Sequence, residues 1–243
     1  NEAALPIRDA ILAQRYLLKY PAISPQRLEL SAAGKTVVIT GAVSFARPLT
    51  LGVVSSAWLE ADNKHSQGSG IGRATAAAFA AAGASTVVLL GRSAGPLNEP
   101  KSQIPGNSSS IVVIPLDITD EAALNKASAA VGKWDVLVLA AGYTSTPGPL
   151  TEADTDDWWQ SFGLWYTFLA LKAFKPFTEP SHATVLSLIT GTAALPAKAL
   201  PNLSSYLASK AAQTKVIEFL PVENPNIFAA AIHSGMVETA IFT

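Results

Sequence analysis

Two residues of reactive type stand out in the run Ser204-Ser205-Tyr206-Leu207-Ala208-Ser209-Lys210-Ala211-Ala212. Tyr206 and Lys210 are four apart, so a helix over 203–220 places them on one face. A phenol with an unperturbed pKa of ~10 is a poor proton donor or acceptor at neutral pH. An ammonium one turn away stabilises the phenolate and lowers that pKa, which makes Tyr206 a candidate general acid/base. The same spacing also describes a surface pair with no chemistry.

A second constellation lies upstream. Residues 36–40 form a short apolar, β-branched run that reads as a buried strand, and 71–82 form an Ala-rich helix stopped by Gly83. Between them stand 25 residues, 43–67, where one tight turn is expected. With that segment set aside the join reads Thr40-Gly41-Ala42-Gly68-Ser69-Gly70-Ile71-Gly72. Glycines let the backbone approach a pyrophosphate, and the helix N-terminus supplies free N–H groups and positive potential.

The elements that must position these residues follow in order. Strands are expected over 85–91, 111–116, 135–141, 183–190 and 227–233. Helices are expected over roughly 121–132, 154–174 and 203–220, with an N-cap signal at Thr119-Asp120-Glu121. Three prolines in 93–110 leave room for a short crossover helix at most. Continuous apolar strands alternating with helices imply an α/β doubly wound parallel sheet, Rossmann-like, in a single domain. Residues 1–34 read as an N-terminal arm, and 35–243 as the domain, interrupted at 43–67.

Composition narrows the functions. A formal net charge of −1 with 14% charged residues and no basic cluster argues against nucleic acid. The absence of cysteine removes disulfides, thiolate catalysis and Cys-ligated metals, and fits a reducing, cytoplasmic setting. His65, His182 and His233 are scattered singly, so no metal site is expected. The longest apolar stretch is broken by Gly83, Ser85 and Thr86, a helix and strand rather than a membrane span. No secretory signal is apparent at the start. The chain begins at Asn1 rather than Met, as a fragment or a chain with a misplaced start would.

These motifs together resemble the short-chain dehydrogenase/reductase family over about 34–239. The resemblance rests on the glycine-rich turn (Thr40, Gly41, Gly68, Gly70, Gly72), Asp117, Ala141-Gly142, and Tyr206 with Lys210. It implies an oxidoreductase interconverting a small-molecule carbonyl and a secondary alcohol. Tyr206 would transfer the proton, and Lys210 would bind the nicotinamide ribose and tune Tyr206. Cofactor contacts would come from Thr40, Gly41, Gly68, Gly70, Ile71, Gly72, Arg73, Arg92, Asp117, Ile118, Ala141, Gly142 and Lys210, with Asp117 against adenine. An acidic residue after the second strand usually holds the ribose 2′-OH of NAD, whereas a 2′-phosphate needs a cation. Gly91-Arg92 therefore favours NADP(H) over NAD(H); Arg92 as a solvated loop residue is the plain alternative. Two long helices, 154–174 and 203–220, often build a homodimer or homotetramer interface in this family.

Departures from the pattern accompany the matches. Where the family has a catalytic serine after the fifth strand, this chain has Ile189-Thr190. Thr190 keeps a hydroxyl able to orient a carbonyl. Ser187, three residues earlier on the opposite strand face, is the second candidate and reads equally as a buried strand serine. Ala140 replaces the usual Asn, the Asn-x-x-Gly of the long helix is missing near 162–166, Ser234-Gly235 replaces Pro-Gly, and the chain stops at Thr243 where a further helix and strand usually follow. The missing helix Asn supports a bound water of the proton relay in the family, so the resemblance implies slower chemistry here. The insert begins Val43-Ser44 and ends with Gln67, residues whose codons can spell GTGAGT or GTAAGT and CAG, and its length keeps the reading frame. A retained intron and a genuine surface insertion both fit it. The competing functions are a non-catalytic dinucleotide-binding protein and a mis-spliced product without folded function.

Overall fold

A computed structural model describes residues 27–41, 71–92 and 110–235. The glycine-turn positions Gly68 and Gly70, the insert 43–67, the arm before residue 27 and the crossover region 93–109 lie outside the described residues.

Among them a six-stranded parallel sheet is assembled from β1 (Thr36–Thr40), β2 (Thr86–Gly91), β3 (Ser110–Pro115), β4 (Val136–Leu139), β5 (Ala183–Ile189) and β6 (Ile227–His233). The spatial order is β3-β2-β1-β4-β5-β6, so the chain reverses direction of travel between β1 and β4. Such a reversal opens a crevice beyond the carboxyl ends of the two strands. Alternate side chains of β1 serve opposite faces, as the period of two demands. Val37 and Ile39 pack with Ala76 and Ala80 of α1 (Ile71–Ala81). Val38 joins the other core with Leu124 of α2 (Glu121–Val131) and Leu169 and Phe174 of the helix after β4. That core also takes Ile217 of α5 (Ser204–Glu223). α2 begins where the acidic N-cap signal places it, with the Asp120 carboxylate accepting from Ala123 N at 3.0 Å.

The single helix expected over 154–174 is two. α3 (Thr155–Gln160) ends at Ser161, and α4 (Leu164–Phe174) starts after Gly163. Gly163 N donates to Ser161 O at 2.8 Å, a tight turn incompatible with continuous α-helix. The Tyr166 ring occupies the space beside Gly163, where an added Cβ would lie 2.0 Å from its Oη. The strands 36–40 and 227–233 fall where expected, and the other boundaries differ by at most three residues. β4 is the shortest of the six, and just past its end Ala140 N donates to Thr40 O at 3.2 Å.

Candidate active site

The carboxyl ends of β1, β2, β4 and β5 converge on the crevice. At β1, Gly41 has φ +68°, donates to Leu90 O at 3.1 Å, and presses against β4's exit. A Cβ there would sit 2.3 Å from Ala141 Cα, so only glycine allows this approach. Thr40 is buried, with Oγ1 donating to Val138 O at 3.4 Å. Ala141 is buried and Gly142 half-buried beside it. α1 opens with Ile71, buried Gly72 and half-buried Arg73. Arg92 is exposed directly after β2.

Asp117 follows β3 by two residues. Its Oδ1 accepts from Thr119 N at 2.9 Å and Thr119 Oγ1 at 2.8 Å, and these bonds, with the nearby Arg92 charge, hold its carboxyl below the usual range. Asp117 thus shapes the turn into α2, with half-buried Ile118 beside it, while Arg92 lies within electrostatic reach.

Tyr206 and Lys210 lie on α5, with Lys210 Nζ 6.0 Å from the Tyr206 ring centroid. Nζ donates to Leu188 O at 2.8 Å and to Gln213 Oε1 at 2.9 Å. Burial brings the Lys210 pKa down to about 8. The Tyr206 phenol is pushed up by burial, the reverse of the lowering expected from its neighbour. The reason is desolvation. The half-buried ring loses water, while the ammonium is turned onto the β5 carbonyl and Gln213.

Thr190 caps the turn Gly191–Ala194, its Oγ1 2.6 Å from Thr192 Oγ1 and accepting from Thr192 N at 3.3 Å. It remains at the crevice end of β5. Ser187 is fully buried on the face it shares with Ala183 and Val185, and its Oγ accepts from Gln213 Nε2 at 2.6 Å. That placement matches the buried strand serine more than a substrate contact.

Several participants carried no sequence signal. Tyr166 stands in the region where the Asn-x-x-Gly is missing. Its buried phenol accepts from Tyr143 N–H, lies within electrostatic reach of Tyr206, and is held un-ionised by burial. Asp157 ties down the loop after β4, accepting from Tyr143 Oη at 2.6 Å and Thr146 N at 2.8 Å. α3 also fixes the start of α5. Trp158 Nε1 donates to Ser204 Oγ at 3.0 Å, Ser205 Oγ donates to Trp158 O at 2.6 Å, and Ser161 and Ser205 share a hydroxyl contact. Tyr206 thereby starts from a pinned helix end.

Residues 66–243 match the family model described as short chain dehydrogenase. The short chain dehydrogenase pigC of Monascus ruber is 30% identical over 237 residues, covering 91% of this chain and 68% of that protein. The short chain dehydrogenase mpl6 of Monascus purpureus is 32% identical, covering 71% of this chain and 63% of that protein. For tazN of Aspergillus terreus, 29% identical, the chain spans 45% of the relative's length. Among solved structures, a short chain dehydrogenase from Shigella flexneri superposes with a TM-score of 0.71 at 20% identity, covering 88% of this chain and 77% of that one. The oxidoreductase yciK of E. coli gives 0.71 at 20% identity, with 88% and 80% covered. At these identities the structures speak for the fold.

Proposed function

Because the chain belongs to the short-chain dehydrogenase family of oxidoreductases, we propose that it interconverts a small-molecule carbonyl and a secondary alcohol with NADP(H), with Tyr206 as the acid/base. The observation that carries the reading is that Tyr206 and Lys210 share one face of α5, with Lys210 Nζ held on the Leu188 carbonyl near the crevice end of β5. When bound, the nicotinamide cofactor supplies or accepts the hydride. The described residues fit such a group. Gly41 and Ala141 bring two strand ends to van der Waals contact at the switch point, and Lys210 uses two of its three N–H donors internally, leaving one.

In reduction, the Tyr206 hydroxyl gives its proton to the substrate oxygen, and its raised pKa favours holding that proton until charge develops. Thr190 Oγ1 orients the carbonyl. Lys210 supplies a positive charge 6.0 Å from the ring centroid of the phenolate left behind. Arg92 supports the 2′-phosphate preference through its exposed guanidinium after β2. Exposed Trp165 and Phe168 on α4 and Phe219 on α5 are apolar surface that a homodimer or homotetramer would cover. A cytoplasmic setting fits the cysteine-free composition, and no described helix is long and apolar enough to cross a membrane.

The test is NADPH oxidation by the purified chain against a panel of carbonyl compounds, alongside NADPH binding by fluorescence. Tyr206→Phe should cost about 10²- to 10⁴-fold in turnover with binding retained. Binding without turnover in the unaltered chain supports the non-catalytic alternative, which Ala140 and the break at Gly163 favour. Absence of a cooperative melt supports the mis-spliced alternative, in which 43–67 are a retained intron.

A further inference from the structure

Gln213 lies three residues beyond Lys210 on α5 and has no exposed surface. A primary amide sealed from water is costly unless both ends are bonded. Here both are. Its Oε1 accepts from Lys210 Nζ at 2.9 Å and its Nε2 donates to Ser187 Oγ at 2.6 Å. An ammonium has donors only, so the amide must turn its oxygen toward Lys210 and its nitrogen toward Ser187. Ser187 sits on β5 next to Leu188, whose carbonyl takes a second N–H of the same ammonium at 2.8 Å. Ser187, Gln213, Lys210 and Leu188 therefore close a polar ring between β5 and α5.

From this ring we infer that Gln213 is a positioning residue that clamps the Lys210 ammonium against the end of β5, with Ser187 holding the amide in the one orientation that can do so. The inference rests on the reading of Tyr206 and Lys210 as the proton-transfer pair, since Gln213 acts through Lys210. Tyr206 is the titratable group facing the ammonium, 6.0 Å from it. Among the described residues no charged group of a neighbouring element adds to the effect of burial on Lys210. The oxygen of Gln213 is thus one of two partners that favour the charged form. Ser187 supports the clamp rather than the substrate.

The experiment follows the Lys210 side chain by NMR as pH is raised on the cofactor-free chain, its signal assigned with Lys210→Arg. Gln213→Leu removes the acceptor and should lower the Lys210 midpoint by about one pH unit, the worth of one charge-assisted hydrogen bond. Gln213→Glu keeps an acceptor, adds a negative charge, and should raise the midpoint; Ser187→Ala should lower it by less than Gln213→Leu. Variants that melt cooperatively are compared, and if Gln213→Leu fails to fold, the other two decide. A Lys210 midpoint that stays in place in folded Gln213→Glu and Ser187→Ala overturns the inference. Fluorescence titration with NADPH separates the two readings. A chain whose Lys210 moves as expected, but which neither binds nor oxidises NADPH, retains the clamp and loses the oxidoreductase reading. One that turns over NADPH with an unmoved Lys210 does the reverse.

Discussion

Burial displaces the Lys210 ammonium from 10.5 to about 8, and that displacement is also a statement about stability. Below pH 8 both folded and unfolded chains hold the proton, so the full cost of burying the charge is present, on the order of 3 kcal/mol. Between about 8 and 10.5 the unfolded chain still binds the proton while the folded chain has released it. Stability from this group therefore rises with pH across that window. Chemical denaturation of the unaltered chain and Lys210→Met at stepped pH should show the difference moving in favour of the unaltered chain from pH 8 upward. A difference independent of pH would contradict it. Arg92 makes a separate residue-scale prediction. Replacing its exposed guanidinium with Glu should lower the ratio of NADPH to NADH affinity at least tenfold, about 1.4 kcal/mol, read by fluorescence titration of both cofactors. Tyr206 and Lys210 were legible because a four-residue spacing on a helix fixes a shared face. Gln213 was not, because one amide in a helix gives no sign of burial until β5 supplies Ser187.

At the scale of elements, the strands and most helices followed from apolar runs and caps, while the joint between α3 and α4 did not. The stretch 154–174 has a nearly continuous helical pattern. What breaks it is tertiary: the Tyr166 phenol lies over Gly163 and takes the Tyr143 N–H, and Ser161 turns toward Ser205. Gly163→Ala places a methyl where Tyr166 Oη now lies, so the ring must leave or the turn must open. Overpacking of this kind typically costs about 1 to 3 kcal/mol. The variant should melt earlier, and Gly163→Ala combined with Tyr166→Phe should recover part of the loss by removing the clashing hydroxyl. Equal melting of Gly163→Ala and the parent would show that the ring is not packed there. The same joint carries α3's bonds to Ser204 and Ser205, so its loosening should also reduce turnover through Tyr206.

For the whole molecule, the sheet order sets where the crevice opens, and the retained-intron reading of 43–67 bears on how Gly41 and the start of α1 come together. The reversal between β1 and β4 places Gly41 against Ala141. The other half of the proposed site is the N-terminus of α1 at Ile71, which in sequence follows the 25 residues 43–67 read as an insert. Closing a longer loop costs only about 1 to 2 kcal/mol beyond a short one. A pyrophosphate, however, needs Gly41 and the first turn of α1 in one fixed relation, and on the retained-intron reading the short turn left without 43–67 is what holds that relation. Deleting 43–67, so that Thr40-Gly41-Ala42 runs directly into Gly68-Ser69-Gly70, should therefore strengthen NADPH binding by more than it changes the melting temperature of the ligand-free chain. The measurement is the melting temperature of both chains with and without NADPH, since a ligand that binds only the folded state raises it according to its affinity. A larger NADPH-induced rise in the shortened chain is expected. An equal or smaller rise would mean that 43–67 already hold the two halves together as a genuine part of the binding site.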